Sequence, residues 1–307
     1  MIDKLKLLAK ANGDRLAAIP IENIKSLQSQ LAKYRNDNNA QLSDYQKWIF
    51  DELYRFDAID TDMQSIIIVA VARPAYANVT WHLNGQQYAA FSGVSTNTDR
   101  TAEYITSAVQ AAGYKINRET RLPLKNIAVQ SGMAQYGRNN IVYVDGMGSA
   151  LALLAFSTDA PPCDTTTWSE HIVSQACDGC KICITLCPTD AIIPDKFLID
   201  SHKCLTRLAQ LEDDFPEWVP PTAHHSTYYC LMCQARCPMN KGQKTIDISF
   251  NEKETARILD GGPYSSDDVS EELSKKIGLL NFGKLATAPR NLRVLFDAMD
   301  NGHVPRL

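Results

Sequence analysis

Ser65–Ala72 reads Ser-Ile-Ile-Ile-Val-Ala-Val-Ala, with no charge in it. Such a β-branched, apolar run has no wet face, so it predicts a strand buried on both sides in the middle of a sheet. Arg73-Pro74 ends it. Upstream the period is helical. Ile21, Ile24, Leu27 and Leu31 share one face of a segment starting at Pro20, and Leu42, Tyr45, Trp48, Ile49 and Leu53 repeat that spacing. Residues 1–60 therefore read as helices with a structural job. Downstream, Val79–Leu83 and Tyr114–Asn117 predict strands. Thr98–Ala112 predicts a helix stopped by Gly113, and Pro123–Met133 a second one with proline in its first turn. Ile141–Asp145 and Ala150–Phe156 predict a strand pair around Gly146-Met-Gly148-Ser149. Alternation of the two periods makes residues 61–165 an α/β domain.

Periodicity then fades. Asp159–Thr167, which holds Cys163, reads as a boundary, and Trp168–Ala176 as a helix leading onward. Residues 251–307 are mixed in charge, with short helices expected near Ser270–Leu279 and Arg290–Met299, and read as a helical tail packed on the rest.

Between these lie two cysteine runs. Cys177, Cys180, Cys183 and Cys187-Pro188 follow the C-x2-C-x2-C-x3-C-P spacing of a [4Fe–4S] loop. Three cysteines two residues apart wrap one cubane, and the fourth reaches a neighbouring cluster when there are two. Cys204, then 25 residues, then Cys230, Cys233 and Cys237-Pro238 repeat the pattern with an insertion. The crossed-ligand rule assigns Cys177, Cys180, Cys183 and Cys237 to one cluster, and Cys204, Cys230, Cys233 and Cys187 to the other. Zinc also uses C-x2-C pairs, but it does not explain the triple spacing or either Cys-Pro. Disulfides would call for an export signal. Residues 166–250 thus read as a ferredoxin-like double [4Fe–4S] module. The insertion 205–229 is irregular and suits a flap over a cluster or a plain surface loop. Its His224 and His225 have no assignment, since the cysteines complete both ligand sets.

Composition adds bounds. The 307 residues suffice for two or three domains, and 45% apolar with 21% charged residues is ordinary for a soluble globular chain. A net charge of −4 makes no global case for nucleic acid or an anionic membrane. No apolar run approaches a membrane span, and Met-Ile-Asp-Lys-Leu-Lys is no signal peptide, so a cytoplasmic protein is expected. There is no G-x-G-x-x-G after a strand and no G-x4-G-K-[ST], so nicotinamide and nucleoside triphosphates have no support. The clusters move electrons only, and bond chemistry would need a second cofactor in the α/β domain.

An α/β domain followed by this cysteine pattern resembles epoxyqueuosine reductase. The resemblance runs from about Ser65 to Gly242. It is most specific in the cysteines, in Cys187-Pro-Thr-Asp-Ala-Ile192 and in Cys237-Pro-Met-Asn-Lys-Gly242. Ala128-Val-Gln-Ser-Gly-Met-Ala-Gln-Tyr-Gly-Arg-Asn139 is similar to that family's segment along a corrinoid. The resemblance implies two [4Fe–4S] clusters and a cobalamin in an α/β corrinoid-type domain, with Gly137, Arg138, Asn139 and Val142 as corrinoid contacts. It implies a ferredoxin or flavodoxin as electron donor and a small or nucleoside substrate, including a tRNA-borne one. That family carries a Val-Asp pair whose aspartate is the proposed proton donor. The matching stretch here, Ile116-Asn-Arg-Glu-Thr-Arg-Leu-Pro123, has no aspartate. Opening an epoxide to an alkene and water needs an acid on the departing oxygen. Glu119, Tyr104 and Tyr143 are the candidate donors. From Arg100 to Asn140 six cations face two acids, suiting a phosphate or carboxylate, or simply a solvated basic face. Two classes stay open: a cobalamin-dependent reductase, and an iron–sulfur carrier without its own corrinoid that serves a partner protein.

Overall fold

The structure is a computed structural model that describes residues 1–162, 168–169, 173–262, 264, 269–284 and 286–305. The chain divides into two compact units, each made of two stretches: 1–72 with 97–179, and 73–96 with 180–307. These units cut across the four segments expected from the sequence.

The first unit is built on one four-stranded sheet. It comprises β1 (Arg15–Pro20), β2 (Ser65–Ala72), β5 (Ile116–Glu119) and β8 (Leu151–Thr158) in the order β1-β2-β8-β5, antiparallel throughout. The expected central strand is β2, and Ile66 through Ala70 are wholly shielded from solvent. Side chains alternate across a sheet. Ile67, Val69 and Val71 therefore pack with Ile2 and Leu5 of α1 (Ile2–Ala11) and Ile105 and Val109 of α4 (Asp99–Ala111). Ile66, Ile68 and Ala70 point the other way. There α5 (Leu124–Gln130) packs on β2 and β8, and α2 (Ile21–Asp37) is tied to it by a Gln130–Gln30 hydrogen bond of 3.0 Å. The helix α3 (Asp44–Trp48) opens with a Ser43–Gln46 capping box and runs into a π-helical turn at Ile49–Leu53.

The first sixty residues are thus not all helical. Arg-Leu-Ala-Ala-Ile-Pro pairs residue by residue with β2, from Arg15 opposite Ala70 to Pro20 opposite Ser65. Six residues between two strong helical periods are too few to show a period of their own. The expected strand pair also fails. Val142–Tyr143 (β7) pairs with Gln135–Tyr136 (β6), whereas β8 joins the main sheet. The expected helix at Trp168–Ala176 is not found in its described part, where Val173 bridges Tyr136 and only Gln175–Cys177 forms a 3-10 turn. Cys163 lies outside the described residues.

The second unit has a three-stranded sheet, β4-β3-β9. β3 (Ala77–Leu83) and β4 (Gln86–Ser92) form a hairpin around Asn84-Gly85, both with positive φ as a primed turn requires. β9 (Ile246–Phe250) runs parallel to β3. Trp81 stacks on Phe250 at 4.1 Å, and Phe296 of α11 (Ala288–Asp300) stacks on Tyr88, also at 4.1 Å. Helices α9 (Glu252–Asp260) and α10 (Glu271–Leu279) close this core with Ile258, Leu273 and Ile277. The expected C-terminal helices are therefore present and packed as expected, and their described residues supply most of this unit's core together with β4 and with β3, the strand that the sequence placed in the α/β domain.

Candidate iron–sulfur site and the turn beside Cys177

In the second unit the stretches 180–187 and 230–237 fold alike. α6 (Ile182–Thr185) carries Cys183 and α8 (Met232–Ala235) carries Cys233, each one residue into its helix. Each helix starts two residues after the preceding cysteine and ends two before the Cys-Pro. α6 and α8 pack against each other. A third short helix, α7 (Leu205–Leu208), begins directly after Cys204. None of the eight described cysteines is joined to another.

Three thiols of one expected set are neighbours. Burial pushes the Cys230 thiol up to about 12, and charge on Cys204 and Cys187 pushes the same way. Burial likewise raises Cys204, with Cys187 adding to it. Thiols that resist ionisation together need a cation between them to become thiolates. Among the described residues no three His, Cys, Asp or Glu side chains converge on a single-ion site. A cubane instead spreads its thiolates over separate irons.

Hydrogen-bond donors are already aimed at the sulfurs. The Ala191 backbone N–H reaches Cys187 Sγ at 3.2 Å, after a turn in which Asp190 takes a positive φ. His225 Nε2 lies 3.4 Å from Cys230 Sγ. The Cys230 N–H donates to Thr206 Oγ1 at 3.0 Å. The insertion 205–229 forms a small apolar cluster of Leu205, Leu208, Val219 and Ala223 against which Cys230 packs. Arg290 and Asn291 of α11 pin it, donating to the carbonyls of Leu208, Leu211 and Asp213, and of Ala209 and Thr227. It is a packed cover against Cys230 rather than a loose loop. His224 lies within it, edge-on to Phe215 at 4.5 Å.

In the first unit, Cys177 is buried, and its Sγ accepts the backbone N–H of Arg138 at 3.4 Å while the Arg138 guanidinium donates to its carbonyl at 2.9 Å. Arg138 sits in the β6–β7 turn, closed by Gly137 N–H to Ile141 O at 2.7 Å. Asn140 there has φ +58°, and Lys125 Nζ donates to its carbonyl and side chain at 3.0 and 2.9 Å. Burial lowers that lysine to about 8. A Cβ on Gly137 would come within 2.6 Å of both Asn139 Oδ1 and the Tyr143 ring. Asn139 Nδ2 donates to the Tyr143 hydroxyl at 2.9 Å. Gly137, Arg138, Asn139, Val142 and Tyr143 therefore form one knot beside Cys177. Two other expected residues lie apart from it. Tyr104 packs in the α1–α4 layer and donates to the buried Asp14 at 2.6 Å. Glu119 ends β5 and accepts from Ser157.

Sequence reading missed the N–H donors. Ala191 and Arg138 donate through backbone placement, Thr206 accepts the Cys230 N–H through a common hydroxyl, and none of the three leaves a sequence signal. His225 was visible, but only a search for groups serving a ligand, rather than being one, would have picked it out.

These features mark an iron–sulfur domain within the chain. Residues 176–240 match the family model of the 4Fe-4S double cluster binding domain. In sequence the chain is similar to epoxyqueuosine reductases. It is 30% identical over 128 residues to that of Escherichia coli, covering 41% of this chain and 32% of the relative. It is 26% identical over 185 residues to that of Burkholderia pseudomallei, covering 58% and 44%. The chain thus spans about a third to a half of these relatives' length. In fold it matches epoxyqueuosine reductase from Streptococcus thermophilus, with a TM-score of 0.65 at 16% identity over 97% of this chain and 81% of that one. It also matches an epoxyqueuosine reductase solved with an epoxyqueuosine-modified tRNA-Tyr stem loop, with a TM-score of 0.67 at 17% identity over 98% and 82%. Among the described residues no helix is long and apolar enough to cross a membrane.

Proposed function

We propose that this chain is a cytoplasmic iron–sulfur oxidoreductase of the epoxyqueuosine reductase type. A ferredoxin or flavodoxin supplies electrons, two [4Fe–4S] clusters carry them, and a cobalamin held in the first unit receives them for the reduction of a nucleoside borne on tRNA. The observation that carries the reading is the pairing of α6 and α8, the helices that carry Cys183 and Cys233, with Cys187 and Cys204 raising the Cys230 thiol through their charge. The ligand sets follow the crossed rule: Cys177, Cys180, Cys183 and Cys237; and Cys204, Cys230, Cys233 and Cys187. The substrate class draws on the relative solved with a modified tRNA stem loop.

The Gly137–Tyr143 knot fits a corrinoid. Among the described residues the buried Nε of Arg138 has no hydrogen-bond partner, a donor suited to the amide groups that fringe a corrin. Gly137, Arg138, Asn139 and Val142 would hold the cofactor, which supplies a strongly reducing cobalt centre when bound. The chain's own part is to position substrate and deliver a proton to the departing oxygen, from Glu119 or Tyr143. Asn139 donates to the Tyr143 oxygen and fixes where the phenol sits.

A second reading is favoured by the 116–123 segment, where Glu119 is the one carboxylate and is engaged by Ser157. On that reading the chain is an electron carrier for a partner and binds no corrinoid. A cobalt assay and visible spectrum of anaerobically purified protein, reconstituted with iron, sulfide and cobalamin, separate the two. Near-stoichiometric cobalt retained through gel filtration supports the reductase, and about eight irons without cobalt support the carrier.

A further inference from the structure

We propose that His225 is a positioning residue whose imidazole N–H donates to the Cys230 thiolate and raises the reduction potential of the cluster which that cysteine ligates. The inference rests on the double-cluster reading above.

The tautomer follows from the geometry. Nε2 of His225 lies 2.6 Å from the Cys230 carbonyl oxygen. A carbonyl only accepts, so Nε2 carries the hydrogen. The same Nε2 is 3.4 Å from Cys230 Sγ, and its N–H is shared between the two acceptors of one residue. His225 is 3% exposed, so water does not compete for that N–H.

The ring cannot drift. The His225 carbonyl accepts the N–H of Phe91 at 3.3 Å, and Ser226 forms a bridge with Phe91. Thr227 is held at both ends, its hydroxyl donating to Ser92 Oγ at 3.2 Å and its carbonyl accepting from Asn291 Nδ2 at 2.9 Å. Opposite, Thr206 Oγ1 fixes the Cys230 N–H. The imidazole and the sulfur are thus each anchored by independent bonds.

A reduced cluster carries one more negative charge than an oxidised one, and its ligand sulfurs share that charge. A donor on the sulfur therefore stabilises the reduced form more, and the potential rises. Cys177 and Cys187 receive such bonds from backbone N–H groups, which substitution does not remove. At Cys230 the donor is a side chain.

The test compares the full-length reconstituted protein with His225→Leu, which has no donor, and His225→Gln, which keeps an N–H. Iron and sulfide are counted, then both clusters are titrated by EPR. In His225→Leu one midpoint is expected to move negative, so that at the wild-type midpoint the reduced-to-oxidised ratio of that cluster falls about tenfold. The other midpoint stays, and His225→Gln recovers most of the loss. Full iron in His225→Leu with both midpoints unmoved overturns the inference and leaves the double-cluster reading intact. Wild type that takes up iron without sulfide overturns that reading first. A variant-free arm covers loss of iron in His225→Leu: wild type labelled with [15N]histidine is expected to show a nitrogen coupling on one reduced cluster. Absence of that coupling also overturns the inference.

Discussion

The Ser157 hydroxyl donates to Glu119 Oε1 at 2.6 Å, across the last turnings of β5 and β8. It is the one carboxylate in the stretch where the resemblance places an acid, and it is held by a neutral donor rather than by a cation. Glu119→Gln keeps an oxygen that accepts from Ser157, so the melting temperature should be unchanged. Turnover of an epoxide-bearing tRNA stem loop should fall about 100-fold or more if Glu119 is the acid. Full turnover in Glu119→Gln assigns the proton to Tyr143.

Gly137→Ala tests whether the turn beside Cys177 is as tight as its geometry implies. The added methyl meets Asn139 Oδ1 and the Tyr143 ring at 2.6 Å. Overpacking of this kind costs about 1–3 kcal/mol, read as a shift in the denaturant midpoint. Cobalt retention should fall as well, because the same knot carries Arg138 and Asn139. A Gly137→Ala protein with unchanged midpoint and cobalt would mean that the turn relaxes freely.

How much of this was legible in the sequence depends on the range of the signal. The eight cysteines declare themselves by spacing, which the chain itself enforces. β2 declares itself because a strand covered on both faces has no polar position to blur it. β1 was read as helix and β4 was not read at all, for a different reason. A six-residue strand such as Arg15–Pro20 is recognisable only through its partner, Ser65–Ala72. The hairpin joins a sheet whose third strand, Ile246–Phe250, lies over 150 residues away in sequence. The donors to sulfur are less visible still. An N–H from Arg138 or Ala191 belongs to every residue but proline, and only folding decides which ones meet a thiol.

The C-terminal helices offer a sharp stability test. Phe296 is 4% exposed, stacks on Tyr88 at 4.1 Å and meets the Trp81 edge at 6.4 Å. A loose tail would tolerate its loss. As part of the core, Phe296→Ala should cost about 3–5 kcal/mol in the unfolding of the second unit. Because α11 also carries Arg290 and Asn291, which pin the cover over Cys230, the variant should lose iron faster on exposure to air. Wild-type stability in Phe296→Ala would contradict the packing described.

His224 sets a pH dependence. Burial lowers it to about 4, with His225, Arg290 and His303 adding positive charge around it. In the unfolded chain a histidine titrates near 6.5. The folded state therefore binds fewer protons between these values, and stability falls as pH drops through that window, being fully present above about 6.5 and flat below about 4. The loss is at most about 3 kcal/mol across the window. Carboxylates also contribute to acid lability, so the comparison is with His224→Phe, which keeps an aromatic ring against Phe215 and has nothing to protonate. Denaturant midpoints at pH 7.5, 6.5 and 5.5 should decline in wild type and decline less in His224→Phe. Equal slopes would place the acid sensitivity elsewhere, because the folded His224 would then take up its proton as readily as the unfolded one.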